Sequence, residues 1–200
     1  MMITDGYNGN GAKVDANNRL HTESVTRDVL TEAVFKGEAF NFNTGDITLT
    51  TGSASAIGYF KYNGDTPFLI TEFIVIIGSA AGTLSSDSTI EILRNPTAGT
   101  IVDNAVAIET AANRDFSSSI VITGDTYKGA EGYTLTDGTT FGKTTRGSSF
   151  TGPVTFDAAP ILLRKGNSLG INYTPPTGNT SQVVKIAAIG YVAGSDVFVD

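Results

Sequence analysis

Phe68-Leu-Ile-Thr-Glu-Phe-Ile-Val-Ile-Ile-Gly78 is the longest stretch of this chain in which nearly every residue is apolar. At a period of two, one face carries Leu69, Thr71, Phe73, Val75 and Ile77, and the other carries Phe68, Ile70, Ile74 and Ile76 with Glu72 as its only charge. The run is far too short to cross a bilayer as a helix. It is rich in β-branched and aromatic residues, with Pro67 before it and Gly78 after it, which is the chemistry of a strand. Both faces ask for cover, so the stretch reads as a central strand held between layers.

Working outward, strand-like segments recur at 39–43, 46–51, 56–62, 89–94, 119–123, 161–163, 169–174 and 183–192. Asn63-Gly64, within the turn that precedes Phe68, favours a tight hairpin and predicts that the strands on either side are antiparallel neighbours. Pro175-Pro-Thr-Gly-Asn-Thr180 predicts a second hairpin. Val25, Val29, Leu30, Ala33 and Val34 have helical spacing, with Thr26 as a cap and Gly37 as a stop, although Val25, Val29, Thr31 and Ala33 also share one face of a strand. The expected fold is all-β: an antiparallel β-sandwich, jelly-roll-like, with an extended N-terminal arm and at most one short helix. The arm and helix take residues 1–37, the sandwich 38–194 with a protruding loop region at about 95–152, and a C-terminal tail 195–200.

Residues 1–24 contain the turn dipeptides Asp5-Gly6, Asn8-Gly9 and Asn10-Gly11 and few apolar anchors. Such a segment cannot build a core. Val14 and Leu20, with Arg19 and His21 beside them, suit an arm that lays single side chains into a neighbour's groove, the alternative being a frayed terminus.

Composition narrows the function. A chain of 200 residues with 40% hydrophobic residues builds a sizeable core, and 23 glycines with only 16% charged residues fit many short strands joined by tight turns. The net charge is −7, from 20 acidic and 13 basic residues, and the Lys and Arg are scattered singly. Phosphate backbones require clustered cations, so no nucleic acid is expected as a partner. The same acidity disfavours anionic membrane surfaces, no apolar run is long enough to span a bilayer, and a soluble protein without a secretory signal is expected. Cysteine is absent, which removes disulfides and thiolate metal sites.

Catalytic patterns fail one by one. Asp137-Gly-Thr-Thr-Phe-Gly142-Lys143-Thr144 lacks the first glycine of a phosphate-binding loop, and neither a strong strand before it nor a helix after it is in the sequence. His21 is the only histidine, and no Gly-x-Ser-x-Gly elbow supplies a nucleophile. Glu72, Glu91, Glu109 and Glu131 have no paired carboxylate at readable spacing, so a glycosidase is not supported. Glu72 stands out as a carboxylate inside an apolar run, which must face a partner, water or a subunit boundary. No enzyme activity, cofactor or metal is expected.

Several phrases, taken in order along the chain, carry a resemblance. Gly11-Ala-Lys-Val-Asp-Ala-Asn-Asn-Arg-Leu-His-Thr22, Phe40-Asn-Phe-Asn-Thr-Gly-Asp-Ile-Thr-Leu-Thr50, Ile92-Leu-Arg-Asn-Pro-Thr-Ala-Gly-Thr100, Asn113-Arg-Asp-Phe-Ser-Ser118, Tyr127-Lys-Gly-Ala-Glu-Gly132 and Lys165-Gly-Asn-Ser-Leu-Gly170 together resemble a family of tailed-bacteriophage virion structural proteins. The resemblance implies a non-enzymatic particle component. The acidity places it on the outer surface of the head, or at the neck or tail, rather than against packaged DNA. The expectation is a capsid decoration, or cement, protein that bridges capsomers, with the major capsid protein or other virion proteins as partners and a homotrimer as the unit. The alternative is a neck, tail or fibre component contacting host glycans through Tyr127, Tyr133 and Phe141. The expected interface residues are then Val14, Arg19, Leu20, His21, Glu72, Tyr127, Tyr133 and Phe141.

Overall fold

The computed structural model describes residues 28–156 and 160–193, together with the backbone of residues 2–4, 11–14 and 20–21. Three short strands, β1 (Met2–Thr4), β2 (Gly11–Val14) and β3 (Leu20–His21), pair in sequence as an antiparallel meander. Then follow α1 (Val29–Phe35), β4 (Ala39–Asn43), β5 (Ile47–Leu49), β6 (Ser55–Tyr62), β7 (Phe68–Ile77), β8 (Ala81–Gly82) and β9 (Ser88–Arg94). The middle of the chain holds α2 (Thr100–Asp103), β10 (Val106–Ala107), β11 (Thr110–Asn113), β12 (Gly124–Lys128) and β13 (Thr139–Arg146). It closes with β14 (Gly152–Thr155), β15 (Ile161–Leu163), β16 (Ser168–Thr174) and β17 (Asn179–Val192).

Two antiparallel sheets face each other. One runs β10-β12-β6-β16-β9-β13; the other runs β11-β4-β17-β7-β14, with β15 beside β7 and with β5 and β8 beside β17. Stripped of the additions at their edges, the two cores are β6-β16-β9-β13 and β4-β17-β7-β14. This is the strand order of a jelly roll, two interlocked Greek keys whose successive strands mostly cross between sheets. The all-β sandwich expected from the sequence is therefore the fold. A second helix, the single turn α2, exceeds the one expected.

The register corrects the reading of the Phe68–Gly78 stretch. Buried residues on β7 are Phe68, Ile70, Phe73, Val75 and Ile77, so the inward parity changes between Ile70 and Phe73. The cause is a β-bulge: Glu72 pairs with Ile189 and Ile70 with Gly190, leaving Thr71 as the extra residue. Thr71 and Glu72 both reach solvent, and the Thr71 hydroxyl donates to the Ile189 carbonyl at 3.3 Å. Gly190 makes room for the kink, since a Cβ there would lie 2.4 Å from Phe68 Cε1 and 2.7 Å from the Leu69 carbonyl oxygen.

Both expected hairpins are overturned. β6 pairs with β12 and β16, whereas β7 pairs with β14, β15 and β17, so residues 63–67 form an arch between sheets. Neither Asn63 nor Gly64 takes the positive φ of a tight hairpin turn. The residues after β16 likewise arch across to β17. The physical reason is burial. Each of these strands presents a continuous apolar row that is covered only by facing another sheet, and pairing side by side with its sequence neighbour would not cover it. The 119–123 segment lies outside any strand, with β12 beginning at Gly124. The 95–152 region is not a free excursion, because β10, β12 and β13 pair into one sheet and β11 into the other. The helix starts at Val29 with Asp28 as its cap, the Asp28 carboxylate accepting from Thr31 N at 2.9 Å, and Gly37 ends it at φ 68°. The expected Thr26 cap and the 195–200 tail lie outside the described residues.

The core is aromatic at one end, where Phe40, Phe42, Phe60, Tyr62 and Phe68 meet with ring centroids 5.4–6.4 Å apart, and aliphatic at the other around Val75, Ile77, Ile90, Val184 and Ile186. A buried polar chain ties the sheets at the aliphatic end. Tyr173 donates to Gln182 Oε1 at 3.0 Å and Gln182 Nε2 donates to the Gly78 carbonyl at 2.9 Å. Burial raises the Tyr173 phenol above its ordinary value, which keeps it a donor. Gly190→Ala is expected to cost about 1–3 kcal/mol in a denaturant titration, because the added methyl must displace the Phe68 ring or the β7 backbone. An unchanged midpoint would show that the bulge is not closely packed.

Candidate functional site

The outer face of the eight-stranded sheet holds an open depression of ≈ 370 Å³. The pairing register builds it as two rows across the strands. Asn41, Ile189 and Glu72 stand opposite one another on β4, β17 and β7, and Asn43, Ala187 and Ile74 form the next row. Thr110 of β11 extends the second row beyond Asn43. Because Phe40 and Phe42 point into the core, alternation forces Asn41 and Asn43 outward. The bulge does the same for Glu72.

The polar groups here are oriented by their partners. Asn41 Oδ1 accepts from Arg114 Nη1 at 3.1 Å, and Asn43 Oδ1 accepts from the Gly45 amide at 2.8 Å. Glu72 makes no hydrogen bond or ion pair among the described residues. It is exposed, and the outer side of β7 at that point is open, so within one copy Glu72 faces solvent. The Leu69 end of this face is capped, where Leu30, Ala33 and Val34 of α1 pack on Tyr191 and Ala39.

The other expected contact residues are dispersed. Tyr127 stacks on Tyr59 with centroids 6.0 Å apart and planes 16° from parallel, and Tyr133 packs with them against Ile101 and Leu135. Both tyrosines fasten the middle region onto the outer face of the six-stranded sheet. Burial, and then the charge of Asp125, raises the Tyr127 phenol. Phe141, 51% exposed, lines a separate depression of ≈ 230 Å³ with Arg94, Ile161 and Leu169. Val14, Arg19, Leu20 and His21 have side chains outside the described residues. Glu72, Tyr127 with Tyr133, and Phe141 thus occupy three places and form no single site.

Sequence patterning gives no sign of an apolar end on the sandwich. The loop between β11 and β12 exposes Phe116 (98%), Val121 (78%) and Ile120 (49%). It is a built loop: Asp115 accepts from the Ser117 amide and hydroxyl at 2.9 and 2.6 Å, which lowers its carboxyl below the usual range. Asn113 Nδ2 ties the loop to the Gly37 carbonyl at 2.6 Å, beside the exposed Phe35 at the end of α1. Isolated from an apolar periodicity, Phe116 gave no signal beyond its type.

Among the described residues no group of acidic or histidine side chains could hold a metal, and no helix is long and apolar enough to cross a membrane. Comparison with protein-family models and with curated proteins gives no match. Replacing Phe116 and Val121 by Ser is expected to leave the unfolding midpoint within about 0.5 kcal/mol of the parent while reducing binding of an apolar dye. A large loss of stability would instead make these side chains part of the core.

Proposed function

We propose that this chain is a non-enzymatic structural protein of a tailed-bacteriophage particle, a capsid decoration protein that binds the outer head surface and stabilises contacts between capsomers. The observation that carries the reading is a jelly roll whose one end exposes Phe116 and Val121 on a hydrogen-bonded loop. Jelly rolls serve viral capsids and lectins alike, so the fold alone does not decide. Large apolar side chains exposed on a hydrogen-bonded loop suit a protein contact. The order of sequence phrases resembling phage virion proteins supports the same reading.

In this reading the major capsid protein, or another virion protein, receives the apolar end, and identical copies meet about a local symmetry axis as a trimer. The −7 charge suits the outside of the shell, away from DNA. Neutral and aromatic contacts then supply affinity, and the scattered charges keep the unbound protein apart from its copies.

The test is reconstitution. Purified full-length protein is added to expanded shells lacking it, and the bound copies are counted. Saturable binding at lattice stoichiometry, lost on replacing Phe116 and Val121 by Ser, is the expected result. A copy number fitting one ring at the neck or tail overturns the decoration role in favour of that position, and absence from purified particles overturns the virion reading altogether.

A further inference from the structure

The concavity around Glu72 has a polarity that the decoration role does not use. Gly45 N–H and the Arg114 guanidinium can only donate, so the atoms that accept from them identify the amide oxygens of Asn43 and Asn41. The two NH₂ groups remain, without a partner among the described residues, on side chains that line the depression. On the opposite wall stands the Glu72 carboxylate, whose oxygens are acceptors. The floor between the walls is Ile189 and Ala187. Two strand spacings, about 10 Å, separate the donor wall from the acceptor wall.

We propose that this face binds an uncharged saccharide. A sugar hydroxyl both donates and accepts, so one edge of a ring takes hydrogen bonds from Asn41 and Asn43 while the other gives one to Glu72. The C–H face of the ring covers Ile189 and Ala187. Charged occupants match only half of the site. A Lys or Arg side chain satisfies Glu72 but turns its cation toward the two NH₂ groups, and an anion satisfies the amides but meets the carboxylate. The bulge re-aims the side chain of Glu72, bringing it to the outer face opposite Ile189. Phe116 and Val121 do not line the site, and the proposal holds whether or not the chain decorates a capsid.

The experiment is a titration of the full-length, isotope-labelled protein with glucose, galactose, mannose and N-acetylglucosamine, each alone, followed by amide and side-chain NH₂ resonances. At least one sugar is expected to shift the Asn41 and Asn43 NH₂ signals together with Ala187 and Ile189, with a Kd on the order of millimolar. Glu72→Gln and Asn43→Ala, both exposed substitutions, are expected to weaken binding about tenfold, and Phe141→Ala to leave it unchanged. No shift with any of the four sugars, shifts elsewhere, or equal binding by Glu72→Gln overturns the proposal. Tighter binding of sialyllactose or of a lysine-rich peptide at these resonances would also overturn it.

Discussion

The pairing of β7 with β17 is the interaction on which the other parts of this fold depend. β17 is the longest strand, and it borders β4 and β5 on one side and β7 on the other, so the eight-stranded sheet is assembled around that one ladder. The inward rows of the two strands, Phe68 to Ile77 and Val184 to Ala188, supply much of the surface against which the second sheet packs. Each fully buried aliphatic or aromatic side chain contributes about 1.5–3 kcal/mol. A slip by one residue would turn the whole inward row of β7 into solvent.

The bulge at Thr71–Glu72 shows how such a constraint is met and used together. A ladder of this length with strict alternation would carry Glu72 on the same side as Ile70, toward the core. One extra residue lets both ends of β7 stay in register with the aromatic and the aliphatic halves of the interior, while the carboxylate goes outward. The same kink puts Glu72 at the concavity on the outer face. Packing and surface chemistry therefore share a single local irregularity.

Much of the strand inventory was legible. The segments 39–43, 68–77 and 161–163 match strands end to end, because period-two patterning and flanking turn residues report local extension directly. Partnership was not legible. Asn63-Gly64 looks like a hairpin turn, but whether two sequential strands lie side by side or face to face is decided by which pairing buries both apolar rows. None of the strands β10 to β13 has a buried residue, and they join the sheets through backbone pairing, which leaves little trace in side-chain pattern. Glu72 was conspicuous as a charge in an apolar run. Asn41 and Asn43 were not, since amides in an alternating strand look like ordinary outward positions until the register sets them opposite Ile189 and Ala187. Tyr127 and Tyr133 were conspicuous for their size, and they turn out to pin one layer on another.

The reading of this molecule as a particle component and as a saccharide binder uses two different surfaces of one rigid sandwich, and both depend on the β7–β17 ladder holding its bulged register. Residue-resolved amide hydrogen exchange on the full-length chain measures that most directly. The expected result is slowest exchange, at a common rate set by global unfolding, for Val75, Ile77, Val184 and Ile186, with faster exchange at Thr71 and Glu72 where the ladder is interrupted. Exchange of the β7 and β17 amides as fast as those of β10 and β11, or protection of Thr71 and Glu72 equal to that of their neighbours, would contradict it.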